Sequence, residues 1–141
     1  MKHGTRLSLV AAALALLATS STAAAATTTI KLLEKQTFQH YTDKGVKGES
    51  PGDVRVFGGT IYDVRHHDIG SDRITCIVAS RGSHCRGTLV LPRGDIYAQA
   101  LVTSPRFMAT ITGGSGAYAH ARGTLTVAGG PLSRYTLRIR S

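Results

Sequence analysis

An all-β, eight-stranded antiparallel up-and-down barrel is the fold class this sequence predicts, on three observations. After the first 25 or so residues, no stretch places apolar residues at helical spacing; short segments alternate apolar and polar residues instead. Eight such segments occur, separated by clusters of Gly, Pro, Asp and Ser at lengths that suit consecutive antiparallel hairpins. An even number of up-and-down strands can close, which removes the exposed edges that invite aggregation. An open sandwich is the alternative arrangement of the same strands.

In order, the strands are expected at 30–39, 53–64, 73–80, 83–91, 95–103, 106–112, 119–127 and 132–140. Strand one places Ile30, Leu32, Glu34, Gln36 and Phe38 on one face, against Lys31, Lys35 and Gln39 on the other. Strand seven sets Ala119, Ala121, Gly123, Leu125 and Val127 opposite His120, Arg122, Thr124 and Thr126. Strand eight sets Tyr135, Leu137 and Ile139 opposite Arg134, Thr136, Arg138 and Arg140. Each pattern is that of a strand with one buried and one wet face.

Strands three and four give a sharper expectation. A hairpin turning near Ser80-Arg81 sets Cys76 directly across from Cys85, Ile74 across from Gly87 and Asp72 across from Leu89. Cross-strand partners come within disulfide reach. The bridge would share its face with Ile74, Val78, Leu89 and Leu91 and so look inward. No C-x-x-C spacing supports a reactive thiol pair.

The N-terminus has the three parts of a secretory signal peptide over residues 1 to about 25. Lys2, His3 and Arg6 precede the apolar run LSLVAAALALLA, and alanines at 23–26 offer small-residue cleavage sites after Ala24, Ala25 or Ala26. The apolar run is shorter than the ~20 residues of a membrane span, and no later stretch is apolar enough for one. The expectation is a secreted, extracellular protein with one barrel domain over 30–141. The whole chain carries 17 Lys and Arg against 8 Asp and Glu; loss of Lys2 and Arg6 leaves a net charge near +7. These cations are scattered singly, with no basic helix or aromatic RNA-reading motif, which argues against nucleic acid as a partner.

Several segments imitate functional motifs. His66-His67-Asp68 has metal-ligand side chains, but adjacent residues of a strand point opposite ways, and a solvated turn accounts for them. Gly113-Gly114-Ser115-Gly116 lacks the Lys and helix of a phosphate loop and reads as a tight turn between strands six and seven. Arg93-Gly94-Asp95, preceded by Pro92, reads as an ordinary turn. Glu34 stands apart: a carboxylate in the apolar row of strand one is expected either inside the barrel, where desolvation raises its pKa, or as a strand-end glutamate reaching solvent at the barrel mouth.

The run Ile111-Thr112-Gly113-Gly114-Ser115-Gly116-Ala117-Tyr118, followed by Ala121-Arg122-Gly123, closely resembles the signature of the allene oxide cyclase-like and dirigent-like barrels, in their small exported bacterial form. Gly52-Asp53 leading to Phe57 and Ile61-Tyr62-Asp63, then Thr75-Cys76-Ile77-Val78 and Cys85-Arg86-Gly87-Thr88-Leu89, resemble the same family in order and spacing. The resemblance covers roughly residues 34–127. It implies an eight-stranded barrel with an apolar lumen, no cofactor, and self-association, since plant members form trimers. Glu34 falls where the cyclases keep their interior glutamate, and Gln36 and Gly59 fall where they keep asparagines. The chain contains no asparagine at all, so a true allene oxide cyclase is not expected.

The expected function is therefore a secreted barrel that binds a small hydrophobic molecule in its lumen, steering its isomerisation, cyclisation or coupling. Glu34 would be the catalytic base or charge stabiliser; Gln36, Phe38, Tyr62 and Phe107 would line the ligand; Ala98, Ala100, Ala119, Ala121 and Gly123 would leave room for it. The alternative is a non-catalytic basic interaction module that binds anionic cell-surface polymer through Arg134, Arg138 and Arg140.

Overall fold

The computed structural model describes residues 23–140; the expected signal peptide lies almost wholly outside them. Eight antiparallel strands close on themselves in chain order: β1 (Thr27–Thr42), β2 (Val54–Tyr62), β3 (Asp68–Val78), β4 (Ser83–Leu91), β5 (Gly94–Val102), β6 (Arg106–Gly114), β7 (Arg122–Ala128) and β8 (Ser133–Arg140). The closing pair is β1 with β8, registered from Thr27 opposite Arg140 to Glu34 opposite Ser133. The described helical structure is one 3-10 turn, Gly116–Tyr118, between β6 and β7.

Alternation fills the interior as expected. Leu125 and Val127 of β7 and Tyr135, Leu137 and Ile139 of β8 are buried, while Arg134, Arg138 and Arg140 stay outside. Cys76 stands opposite Cys85 in the β3–β4 ladder, with Ile74 opposite Gly87 and Asp72 opposite Leu89. A disulfide joins the two cysteines.

Two elements differ from the sequence-based expectation. Gly113 and Gly114 belong to β6 and make no tight hairpin turn; the 3-10 turn follows and seats Tyr118 against the core. The backbone N–H of Ala117 donates to the Arg93 carbonyl at 2.9 Å, and that of Asp95 to the Ser115 hydroxyl at 2.9 Å. β7 accordingly begins at Arg122, and Ala119 is exposed instead of facing the lumen. β3 begins at Asp68, five residues early, because Gly70 and Ser71 pair with β2, and Ser71 with β4 as well, despite their turn chemistry.

The long β1 also carries a bulge between Gln36 and Phe38, where its register against β2 shifts. One extra residue reverses the facing of everything beyond it. Gln39 and Tyr41, paired with Phe57 and Arg55, thus take over the inner row that Phe38 would have continued.

Candidate functional site

The inward residues enclose a cavity of about 420 Å³, within the range of small-molecule sites. Its walls are mainly apolar: Phe57, Ile74, the Cys76–Cys85 disulfide, Ala98, Ala100, Phe107, Leu125 and Val127. Below it Ile61, Leu89, Ile96, Ile111 and Leu137, each at most 2% exposed, plug the barrel at the end capped by the 3-10 turn. The other end is the mouth, where Val102, Pro105 and Gly129 line the cavity at the β5–β6 and β7–β8 turns.

Three polar side chains meet in this apolar hollow. Glu34 of β1 is 7% exposed and Asp72 of β3 is 5% exposed. Tyr135 of β8 sends its hydroxyl across the barrel and donates to Asp72 Oδ2 at 2.8 Å. Gly59 of β2 lets the acids approach each other. It is the cross-strand partner of Asp72, and the Glu34 carboxylate lies over the space a Cβ at position 59 would occupy. A side chain there would also press on the Lys35 carbonyl 2.6 Å away.

Burial sets the electrostatics of the group. Desolvation pushes the Glu34 carboxyl above its ordinary pKa, the nearby Asp72 pushes it further, and Ser133 partly offsets both through a hydrogen bond. Asp72 is raised chiefly by desolvation, against the lowering effect of the Tyr135 hydroxyl and the Gly59 backbone. Tyr135 is raised by burial and by both carboxylates, so it stays a neutral donor. Such a pair of acids holds its protons more tightly than exposed carboxyls do and can exchange a proton with a bound molecule or stabilise a positive charge on it.

Of the residues expected in the lumen, Glu34, Gln36 and Phe107 line the cavity. Phe38 does not: the bulge turns it outward, 44% exposed, where its ring lies on Gly58 with the Arg73 guanidinium 5.9 Å from its centroid. Tyr62 does not either; Ile61 takes the inward position, and Tyr62, half-buried on the opposite face, lies outside the core and the cavity wall. Asp72 and Tyr135 were the residues whose part in the site sequence reasoning missed. The hairpin register that pairs Asp72 with Leu89 was the signal that places it inside.

The rim near the mouth is built separately. Asp53, fully buried, accepts hydrogen bonds from the Tyr41 hydroxyl at 2.5 Å and from the backbone N–H groups of Lys44 and Ser50 at 2.7 Å each, fastening the β1–β2 loop. These bonds hold its carboxyl below the usual range and push the Tyr41 hydroxyl up to about 12. Arg55 covers the Tyr41 ring at 5.5 Å and pairs with Glu49. His66 and His67 belong to the β2–β3 turn, in which Asp63 accepts from the Arg65 and His67 backbone N–H groups, and Asp68 opens β3.

No protein-family model matches the chain, and no curated protein matches it in sequence. Solved structures do match. A pyocyanin demethylase shares 30% identity, with 79% of this chain and 99% of that one covered and a TM-score of 0.72. The Diels–Alderase AbmU from Streptomyces koyangensis shares 17% identity over 83% of this chain and 69% of its own, with a TM-score of 0.66. AbnU, an exo-specific intermolecular Diels–Alderase, shares 14% over 80% of this chain and 98% of its own, with a TM-score of 0.61. The last two show a shared fold.

Proposed function

Since the chain belongs to one family of small eight-stranded barrels with the pyocyanin demethylase, we propose that it binds a single small, apolar-bodied molecule in its lumen and exchanges a proton with it through Glu34 and Asp72. The observation that carries this reading is the acid pair, buried to 7% and 5% exposure at the inner end of a mainly apolar 420 Å³ cavity. A protein needing only stability gains nothing from two desolvated carboxylates.

The walls would confine the ligand, and the acids would act where a proton moves or positive charge develops, as an isomerisation, cyclisation or demethylation requires. The neighbours' printed activities, a demethylation and cycloadditions, support a reaction steered by confinement. Kinship with the allene oxide cyclase-like and dirigent-like barrels is part of this proposal, as is secretion after cleavage at Ala24–Ala26, which the intact mass of the protein released by its host would test. Exposed Ile77, Leu101 and Met108 on the outer face of β3–β6 would suit packing against a second copy.

The central test uses the neutral fluorophore N-phenyl-1-naphthylamine. Wild type should bind one equivalent, and Ala100→Phe, which fills the cavity, should weaken binding at least tenfold. Equal binding by both proteins would overturn the lumen as the ligand site.

A second reading rests on the opposite surface. Arg134, Arg138 and Arg140 of β8 are exposed beside Arg122 of β7 and Lys31 of β1, with no acid among the outward residues of β8 or β7. That face would hold an anionic polymer such as heparin, and its binding should vanish at ~0.5 M salt, where screening is complete within a few ångströms.

A further inference from the structure

We propose that the lumen selects molecules whose inner end bears a nitrogen that is cationic or carries N–H, with Asp72 as the acceptor that selects them. This rests on the lumen being the ligand site and names the chemical class it takes.

Asp72 is the one described residue left with a buried polar side-chain atom that has no hydrogen-bond partner. Its Oδ2 is taken by Tyr135; the Gly59 backbone lies near enough to lower the carboxyl's pKa but makes no bond of hydrogen-bond geometry to Oδ1. An unsatisfied buried acceptor destabilises the fold, and this one belongs to a residue that lines the ligand cavity. The second observation is what does not line it. In a chain with 17 Lys and Arg against 8 Asp and Glu, none of the described residues lining the cavity is Lys, Arg or His. The two acids are therefore left without a cation of the protein's own.

The missing partner is a donor. An N–H or N⁺ group seated against Asp72 Oδ1 would complete its hydrogen bonding beside the second acid, Glu34, in a medium of low polarity, where such contacts are strongest. A ligand with only acceptors would leave Oδ1 unpaired. A carboxylate at the inner end would add a third acid to the pair with little water to solvate it, which disfavours anionic lipids and fatty acids entering head-first.

Three fluorescent tricycles of matched shape test this at pH 7.5 and 0.15 M salt: 9-aminoacridine, a cation with N–H; acridine, neutral and acceptor-only; and acridine-9-carboxylate, an anion. Wild type should prefer 9-aminoacridine over acridine at least tenfold and over the carboxylate at least a hundredfold. Asp72→Asn should reduce the first preference to threefold or less. Tyr135→Phe, which frees Oδ2 as a second acceptor, should increase it, and this comparison decides if Asp72→Asn does not fold. Acridine binding as tightly as 9-aminoacridine, or a preference unchanged in the variant, would overturn the selectivity while leaving the lumen as the site. Failure of all three to bind, or binding indifferent to Ala100→Phe, would remove the ligand site itself.

Discussion

Toward the 3-10 turn, Ile61, Leu89, Ile96, Ile111 and Leu137 leave no more than 2% of their surface to solvent; toward the mouth, Phe57, Ile74, Ala100 and Phe107 are only half-buried around a 420 Å³ hollow. Both halves belong to the same strands and obey the same alternation, so the difference lies in side-chain size. Large aliphatic residues converge at one end, whereas Gly87, Ala98, Ala100 and Ala109 of β4, β5 and β6 keep the other open. The lesson is that one closed sheet divides itself into a stabilising half and a binding half without any change of backbone plan.

Truncation breaks that comparison most directly. Leu137→Ala removes a fully buried side chain from the plug, where neighbours can collapse only partly, and should cost about 3 kcal/mol in urea unfolding. Phe107→Ala removes a half-buried ring that already borders open space, so little new cavity forms and the loss should be about 1 kcal/mol. Equal costs would mean that the mouth half is packed as tightly as the plug.

The disulfide comes next. It ties β3 to β4 in the open half, across the wall of the cavity, where packing is thinnest. Its loop spans nine positions of sequence, and replacing both cysteines by serine should cost about 2.5 kcal/mol in the chain-entropy model. The loss should appear equally when the wild type is unfolded in reductant. An identical midpoint for wild type and the double variant in oxidising buffer would show that the mouth does not depend on the clasp.

The two halves also differ in how far the sequence reveals them. The eight strands, their inner faces and the Cys76–Cys85 register follow from alternation and turn chemistry, because a period of two leaves only one way to bury β7 and β8; the pairing of β1 with β8 decides for a closed barrel over an open sandwich. The mouth half is less legible. The bulge between Gln36 and Phe38 has no glycine or proline to announce it in QTFQHY; the pairing with β2 imposes it, and Phe38 leaves the lumen in consequence. Asp72 escaped notice because Gly70 and Ser71 look like a loop, so β3 was expected to begin one residue after it. Glu34 was legible because it interrupts an apolar row. Its partner was not, since proximity across strands depends on the pairing of β1, β2 and β3 around Gly59.

The smallest effect separates the acids of the lumen from the acid of the rim. Glu34 and Asp72 have folded pKa values raised above their unfolded ones, and Asp53 has its value lowered. Below the unfolded pKa, about 4, Glu34 and Asp72 are protonated in both states and cost nothing. As pH rises toward their folded values the unfolded chain releases its protons first, so folding loses stability, and above those values the penalty is complete. Asp53 acts oppositely: its contribution is present above the unfolded pKa and disappears as pH falls through the folded one. Replacing Glu34 by Gln and Asp72 by Asn together should therefore stabilise the barrel at pH 8 by about 1 kcal/mol, or about 4 °C in Tm, and by nothing near pH 3. Asp53→Asn should destabilise at pH 8, with a difference that shrinks toward pH 3. A lumen double variant less stable than wild type at pH 8 would mean that the acids already have partners inside the barrel, and the site would then lack the unmet demand from which its ligand was inferred.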